Sequence, residues 1–204
     1  MHPVVTPELV LRAYISGAFP MHIPDEEDQI YWLSPDPRAI IPLERFHLPR
    51  SVRRLLRDGR FTTTTDREFD RVIRGCAGRS ETWISSEMIT LYTALHEQGF
   101  AHSIEVWEGG ALVGGLYGVA LRGAFFGESM YNEVPNASKV ALVDLVSRLR
   151  RGNFRLLDTQ YLTPHLALFG AIEVDRVDFL GLLQDALTVQ SSWSTGQGPY
   201  PNKW

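Results

Sequence analysis

Apolar residues recur along this chain with two periods, one near 3.6 and one near 2, and Gly, Pro, Ser and Thr separate the runs. Leu9, Val10, Ala13 and Tyr14 form one face of a helix over residues 6–17, with Thr6 as cap, Pro7 at its first position and Gly17 as its stop. A loop rich in proline and acid follows through Asp25, Glu26, Glu27 and Asp28 to Trp32, and Ser34-Pro35-Asp36-Pro37 reads as a turn and a module boundary. Residues 51–58 form a short helix with Arg50, Arg54 and Arg57 along one side and Gly59 as its stop. The β-branched run 61–65 is a strand, after which Asp66 is expected to cap a helix reaching Ile73. Ser85 and Ser86 open a further helix over 87–98, stopped by Gly99.

The middle of the chain is a hairpin series. Strands over 103–107, 111–120 and 124–130 are joined by the turns Glu108-Gly109-Gly110 and Leu121-Arg122-Gly123. Asn136 or Ser138 then caps a helix in which Val140, Ala141, Leu145, Val146 and Leu149 keep a 3.6 period until Gly152. A strand over 154–160, a short helix from Thr163-Pro164 to Gly170, and a last helix from Asp175 to about Gln190 complete the order. Antiparallel strands, a helix and a strand that can insert beside the third one predict an α+β fold. By analogy it is an acetyltransferase-superfamily (GNAT-like) mixed sheet flanked by helices. Residues 1–36 read as a small N-terminal module, 37–190 as the main domain, and 191–204, rich in Ser, Gly, Pro and Asn, as a flexible tail.

Composition narrows the class. In 204 residues, 44% hydrophobic and 22% charged residues exclude wholesale disorder and fibrous architecture. No apolar run approaches the length of a spanning helix, and Met1-His2-Pro3 lacks a basic, apolar secretion start, so a cytoplasmic protein away from membranes is expected. Cys76 is the only cysteine, which removes an intrachain disulfide framework and a cysteine zinc cluster. The net charge of −4 argues at first against a nucleic-acid partner. It divides, however, into +5 over residues 45–60 and −9 elsewhere, with Arg45, Arg50, Arg53, Arg54, Arg57 and Arg60 against Asp58 alone. A second cluster holds Arg148, Arg150, Arg151 and Arg155. Arginine forks onto phosphate as lysine cannot, while a solvated helix face is the plainer account of such runs.

Three places carry candidate chemistry. Glu128 follows Phe125 and Phe126 at a strand end, where a charge implies either a polar cleft or an exposed edge. Asp158 and Gln160 share one face of a strand, where a carboxylate and an amide can hold an amine or simply tie the strand to a loop. Trp83 sits in the extended stretch Thr82-Trp83-Ile84, as core or as a platform for a nucleobase. The six histidines show no HExxH spacing, and neither a metal site nor a GxSxG elbow nor a P-loop is present. No cofactor is expected.

Taken together, these motifs resemble the leucyl/phenylalanyl-tRNA–protein transferase family. The resemblance runs over about residues 8–180. It begins with Leu11-Arg12-Ala13-Tyr14, Gly17-Ala18-Phe19-Pro20, Ser34-Pro35-Asp36-Pro37-Arg38-Ala39 and Phe46-His47-Leu48-Pro49-Arg50-Ser51. It continues with Ala101-His102-Ser103-Ile104-Glu105, Leu112-Val113-Gly114-Gly115-Leu116-Tyr117-Gly118, Phe126-Gly127-Glu128-Ser129-Met130, Asn136-Ala137-Ser138-Lys139 and Leu157-Asp158-Thr159-Gln160. It implies an enzyme that moves leucine or phenylalanine from aminoacyl-tRNA to the α-amino group of proteins beginning with Arg or Lys, marking them for N-degron proteolysis. It implies Asp158 and Gln160 as the reaction-centre pair and Glu128 as the acidic partner of the acceptor. Leu116, Phe125, Leu145 and Leu157 would line the pocket for the transferred side chain. Trp83 would stack on the terminal adenosine, and Arg50, Arg53, Arg54 and Arg57 would contact tRNA phosphates. Many members have a tryptophan where this chain has Met21, and some have phenylalanine at Leu145. Long members carry about one more strand and turn before the first helix.

The expected reaction is aminolysis of an ester by an amine whose pKa is about 7.7–8.0, so a neutral fraction exists near pH 7 without a strong base. Gln160 is expected to orient the amine and Asp158 to stabilise the charge that develops on it, or to take its proton. Glu128 is expected to pair with the acceptor's cationic side chain. An acyl-CoA-dependent N-acetyltransferase would need a glycine-rich pyrophosphate loop, and residues 131–136 contain no glycine. A non-catalytic RNA-binding protein would explain the arginines and Trp83 but not the convergence of Asp158, Gln160 and Glu128. No long exposed apolar stripe is evident, which points to a monomer.

Overall fold

A computed structural model describes residues 5–23, 29–79 and 82–194. Its centre is a seven-stranded mixed sheet in the order β4-β5-β6-β7-β8-β3-β9. These strands span Thr62–Thr65 (β4), Ala101–Glu108 (β5), Ala111–Leu121 (β6), Ala124–Asn132 (β7), Leu156–Gln160 (β8), Arg38–Ile40 (β3) and Ile172–Val174 (β9). Every neighbouring pair is antiparallel except β7 and β8, which run parallel because helix α5 (Ala137–Arg151) carries the chain between them.

Alternation along the central strands sorts the core onto both faces. Leu116, Phe125 and Leu157 point to the α5 side, where they join Val140, Ala141, Leu145 and Leu149. Their neighbours Tyr117, Phe126 and Leu156 point to the opposite core, which α1 (Pro7–Ile15), α3 (Phe69–Ala77), α4 (Ser86–Glu97) and α7 (Arg176–Thr188) cover. Helix α2 (Arg50–Arg57) adds Val52 to the α5 side, and α6 (Pro164–Ala167) adds Leu166.

The helix starts follow their capping residues. Thr6 accepts from the Leu9 amide, Ser85 from Met88 and Thr163 from Leu166. Asp66 does not cap α3, which begins at Phe69. Its carboxylate is drawn across the sheet, taking the Ser103 amide at 2.9 Å, His102 Nδ1 at 2.9 Å and Trp193 Nε1 at 2.8 Å. Between α1 and the sheet, a segment that reads as loop in sequence is a hairpin, β1 (Phe19–Ile23) with β2 (Gln29–Leu33). Residues 25–28 of the acidic stretch lie outside the described residues. The short strands β3 and β9 likewise have no counterpart in the sequence pattern.

The first residues of the segment that reads as a loose tail are bonded to the body. The Ser192 amide donates to the Gly152 carbonyl, Arg148 Nη1 donates to the Ser194 carbonyl at 2.8 Å, and Trp193 stacks on Phe125 at 5.4 Å. Residues 195–204 lie outside the described residues.

Candidate active site

The parallel ladder between β7 and β8 pairs only Ala124 with Leu156, Phe125 with Leu157 and Phe126 with Asp158. Beyond Phe126 the two strands part, and a cavity of about 870 Å³ opens between them. It draws on both faces of the sheet: Trp83, Tyr117 and Glu128 line it from the side of α3 and α4, Leu116, Leu145 and Leu157 from the side of α5. Met21 reaches it from β1, and Gln160 from the end of β8.

A bulge aims Glu128. Tyr117 pairs with Ser129 and Gly118 with Gly127, so one step along β6 spans two along β7, and Glu128 is the extra residue. Gly118 allows the strands this close, since a Cβ there would stand 2.2 Å from the Phe126 carbonyl oxygen. Tyr92 Oη donates to Glu128 Oε2 at 2.9 Å, which uses its one proton. The 2.6 Å contact between Tyr14 and Tyr92 hydroxyls is therefore donated by Tyr14. Burial pushes the Glu128 carboxyl up to about 7, against the neighbouring Tyr14 and Tyr92 phenols that favour its charged form; Asp158 adds to the rise and Arg38 opposes it. Burial likewise raises Tyr14, Tyr92 and Tyr117 well above the ordinary phenol range, so all three stay protonated.

Asp158 lies behind the cavity wall, not on it. Its side chain is fully buried, and both oxygens are held by Arg38, from Nε at 2.9 Å and Nη2 at 2.6 Å. Arg38 is 1% exposed, lies between the Phe19 and Phe179 rings, and gives Nη1 to the Gly17 carbonyl. Gly17 makes that turn at φ +85°, where a Cβ would strike Leu180. Asp158 Oδ1 also accepts the Gln160 amide at 2.9 Å, fixing Gln160 at φ +58°. A left-handed non-glycine residue at a cavity wall costs about 1–3 kcal/mol and points to a site that needs it there. Gln160 Nε2 then reaches Glu128 Oε1 at 3.4 Å, which leaves the amide oxygen facing other groups. The expectation that Asp158 meets an amine directly is thus corrected, because Arg38 already occupies its carboxylate.

Of the residues expected to line a side-chain pocket, Leu116, Leu145 and Leu157 line this cavity, together with Met130 and Leu166. Phe125 does not. It is fully buried on the α5 side against Trp193 and Phe154. Trp83 and Met21 both line the cavity and pack against the core that α3 and α4 cover. Arg50, Arg53, Arg54 and Arg57 are exposed on α2 without an ion pair among the described residues. A shallow depression joins Arg54 to Asn136, which accepts from Lys139 Nζ at 2.9 Å two residues before Ser138 enters the main cavity. Arg60 leaves this set, paired to Glu108 at 2.5 and 3.0 Å. The second arginine cluster is partly structural: buried Arg148 holds Asp144 at 2.8 Å, and Arg150 donates to the Leu43 carbonyl. Among the described residues, no group of three or more His, Cys, Asp or Glu side chains is disposed around a common metal position, and no helix is long and apolar enough to cross a membrane.

Two family models match the chain, the leucyl/phenylalanyl-tRNA protein transferase over residues 40–184 and its N-terminal domain over residues 4–36. The chain belongs to the leucyl/phenylalanyl-tRNA–protein transferase family. A transferase of that name from Gluconobacter oxydans is 55% identical over 193 residues, covering 93% of this chain and 86% of its own length. Those from Salinibacter ruber and Paramagnetospirillum magneticum are 53% and 52% identical, covering 93% and 95% of this chain and 83% and 93% of theirs. Among solved structures, the C-terminal (DUF2156) domain assigned to a lysylphosphatidylglycerol synthetase from Agrobacterium fabrum aligns at 12% identity and TM-score 0.43, over 79% of this chain and 54% of that one.

Within this family member, the sequence pattern marks Glu128, Asp158, Gln160 and Trp83 and misses Arg38, Tyr92 and Tyr117. The one signal for Arg38 is a charge directly ahead of the apolar run Ala39-Ile40-Ile41. Tyr92 and Tyr117 look like ordinary core positions, which their rings are.

Proposed function

We propose that this enzyme transfers leucine or phenylalanine from aminoacyl-tRNA to the α-amino group of proteins that begin with Arg or Lys, marking them for N-degron proteolysis. The observation that carries the reading is one cavity in which Gln160 and Glu128 approach to 3.4 Å between an aromatic wall and an aliphatic one. Trp83 and Met21 form the adenosine wall. Leu116, Leu145 and Leu157, with Met130 and Leu166, form the aminoacyl pocket, and Phe125 supports it from behind. Arg50, Arg53, Arg54 and Arg57 take tRNA phosphates, and Asn136 and Lys139 lie between them and the cavity. The fold is read as acetyltransferase-like, which the parting of a parallel strand pair beside α5 supports. The protein acts as a cytoplasmic monomer.

The amine lone pair attacks the ester carbonyl, a C–N bond forms, the C–O bond to the ribose breaks, and the amine's proton ends on the ribose oxygen. Gln160 Oε1 accepts an N–H from the amine and aims its lone pair; holding amine and ester about 3–3.5 Å apart supplies several kcal/mol. Asp158 is a positioning residue that fixes Gln160 and is itself fixed by Arg38. Glu128, ionised, meets the acceptor's cationic side chain.

Labelled Leu-tRNA, Phe-tRNA and acetyl-CoA are each incubated with an Arg-starting peptide. Label passes from the tRNAs and not from acetyl-CoA. Transfer from acetyl-CoA alone, or RNA binding without transfer, overturns the reading.

A further inference from the structure

Among the described residues, four buried side-chain polar atoms lack a hydrogen-bond partner: Thr63 Oγ1, Asp144 Oδ1, His165 Nε2 and Tyr117 Oη. Two of these residues, His165 and Tyr117, line the cavity between β7 and β8. Tyr117 is wholly buried and stands on β6 beside the bulge that carries Glu128. Its ring is held edge-on to Tyr92 at 5.3 Å and to Phe69 at 6.0 Å, which fixes where the hydroxyl can point. The charges that act on it most are those of Glu128 and Arg79. Tyr14 and Tyr92 spend their hydroxyls on each other and on Glu128. Tyr117 spends its hydroxyl on nothing, and an unmade buried hydrogen bond is a cost that persists only where something repays it.

We infer that Tyr117 Oη accepts an N–H from the cationic side chain of the acceptor's first residue and, with Glu128, forms a two-point subsite for it. The inference rests on the proposed role of Glu128. A guanidinium brings five N–H donors and an ammonium three, and each donor buried without an acceptor is costly. Glu128 already receives Tyr92 on Oε2 and the long Gln160 contact on Oε1, so one carboxylate does not serve the whole group. Tyr117 lines the same cavity as Glu128, and its Oη is buried with its lone pairs unused.

The test uses Tyr117→Phe and Glu128→Gln in the full chain, with peptides that begin with Arg or with uncharged norleucine. In Tyr117→Phe the KM for the Arg peptide rises at least about tenfold, the loss expected for a hydrogen bond to a charged group. The KM values for the norleucine peptide and for Phe-tRNA stay within about twofold, since neither ligand places a cation there. Because the hydroxyl has no partner in the free enzyme, the Tm of Tyr117→Phe holds or rises by about 2–4 °C. A fall in Tm overturns the inference, as it shows a structural partner for the hydroxyl. A loss confined to kcat overturns it too, by moving the hydroxyl to the reacting carbonyl. Arg-over-norleucine selectivity lost in Glu128→Gln but kept in Tyr117→Phe overturns the inference alone. Selectivity kept in Glu128→Gln overturns the proposed role of Glu128 and this inference together.

Discussion

Replacing Arg38 by methionine removes the only ion-pair partner that Asp158 has among the described residues while keeping an unbranched apolar stem between the Phe19 and Phe179 rings. Both side chains are buried, at 1% and 0% exposure, so water cannot replace the guanidinium. Breaking a buried pair on one side costs about 3–5 kcal/mol. At about 2–4 °C per kcal/mol for a chain of this size, the Tm falls by roughly 6–20 °C. Function falls as well: an Asp158 without Arg38 no longer holds the Gln160 amide, and Gln160 leaves its left-handed conformation. Losing about 1.5–3 kcal/mol of that restraint lowers kcat by roughly 10- to 150-fold. The double variant Arg38→Met with Asp158→Leu separates the two effects. An apolar pair in place of a buried ion pair is often neutral or stabilising, so the Tm recovers toward the parent, whereas kcat stays low because Gln160 still lacks its anchor. Thermal unfolding followed by circular dichroism and single-turnover transfer from Phe-tRNA supply both readouts. Recovery of kcat together with Tm would refute the positioning role, and so would a single Arg38→Met variant that melts within about 2 °C of the parent and turns over normally.

The Glu128 carboxyl, raised to about 7 by burial, sets two pH dependences. Its folded pKa exceeds its ordinary value of 4.5, so the folded state binds the extra proton between these limits; the protein loses stability as pH rises from about 4.5 to about 7, and Glu128→Gln flattens that slope in denaturant titrations across this range. In kcat/KM for an Arg-starting peptide, the carboxylate adds a second acid limb below about 7 to the one from the amine near 7.7–8.0, so log kcat/KM approaches a slope of about 2, against about 1 in Glu128→Gln; equal slopes would show that Glu128 need not ionise. On α2, changing Arg50, Arg53, Arg54 and Arg57 to Gln lowers the slope of log KM for tRNA against log salt by about 1 for each arginine that pairs with a phosphate, and an unchanged slope would place the tRNA elsewhere.

Which parts of this fold are legible in the sequence follows from where the signals lie. The hairpins β5–β6 and β6–β7 are readable because Gly109-Gly110 and Arg122-Gly123 force turns between long alternating runs. Capped helices are readable for the same local reason. The strands β1, β2, β3 and β9 escape because they run only three to five residues, β1 contains Pro20, and β3 begins with a charged residue that is in fact buried. Asp66 misleads because a capping residue in sequence finds partners 36 and 127 positions away. At the site, the two-residue period puts Asp158 and Gln160 on one face, whereas in the structure Asp158 holds the Gln160 backbone amide and only Gln160 lines the cavity. It says nothing of Arg38, 120 positions earlier, which decides that one of the two is occupied and the other available. The bulge that aims Glu128 is equally hidden, since its only cause is a one-residue mismatch between two strands.

The two carboxylates of this region differ in one respect that bears on substrate choice. Asp158 has its counter-ion inside the protein; Glu128 has phenols and an amide, which donate hydrogen bonds without bringing charge. Burial without a counter-ion of its own pushes the Glu128 carboxyl up to about 7, where a cation arriving from outside tips it to the ionised form. A cationic ligand gains that attraction, and an uncharged residue at the same place does not. This supports an acceptor preference that comes from a charge the protein leaves unmatched, more than from the shape of the cleft.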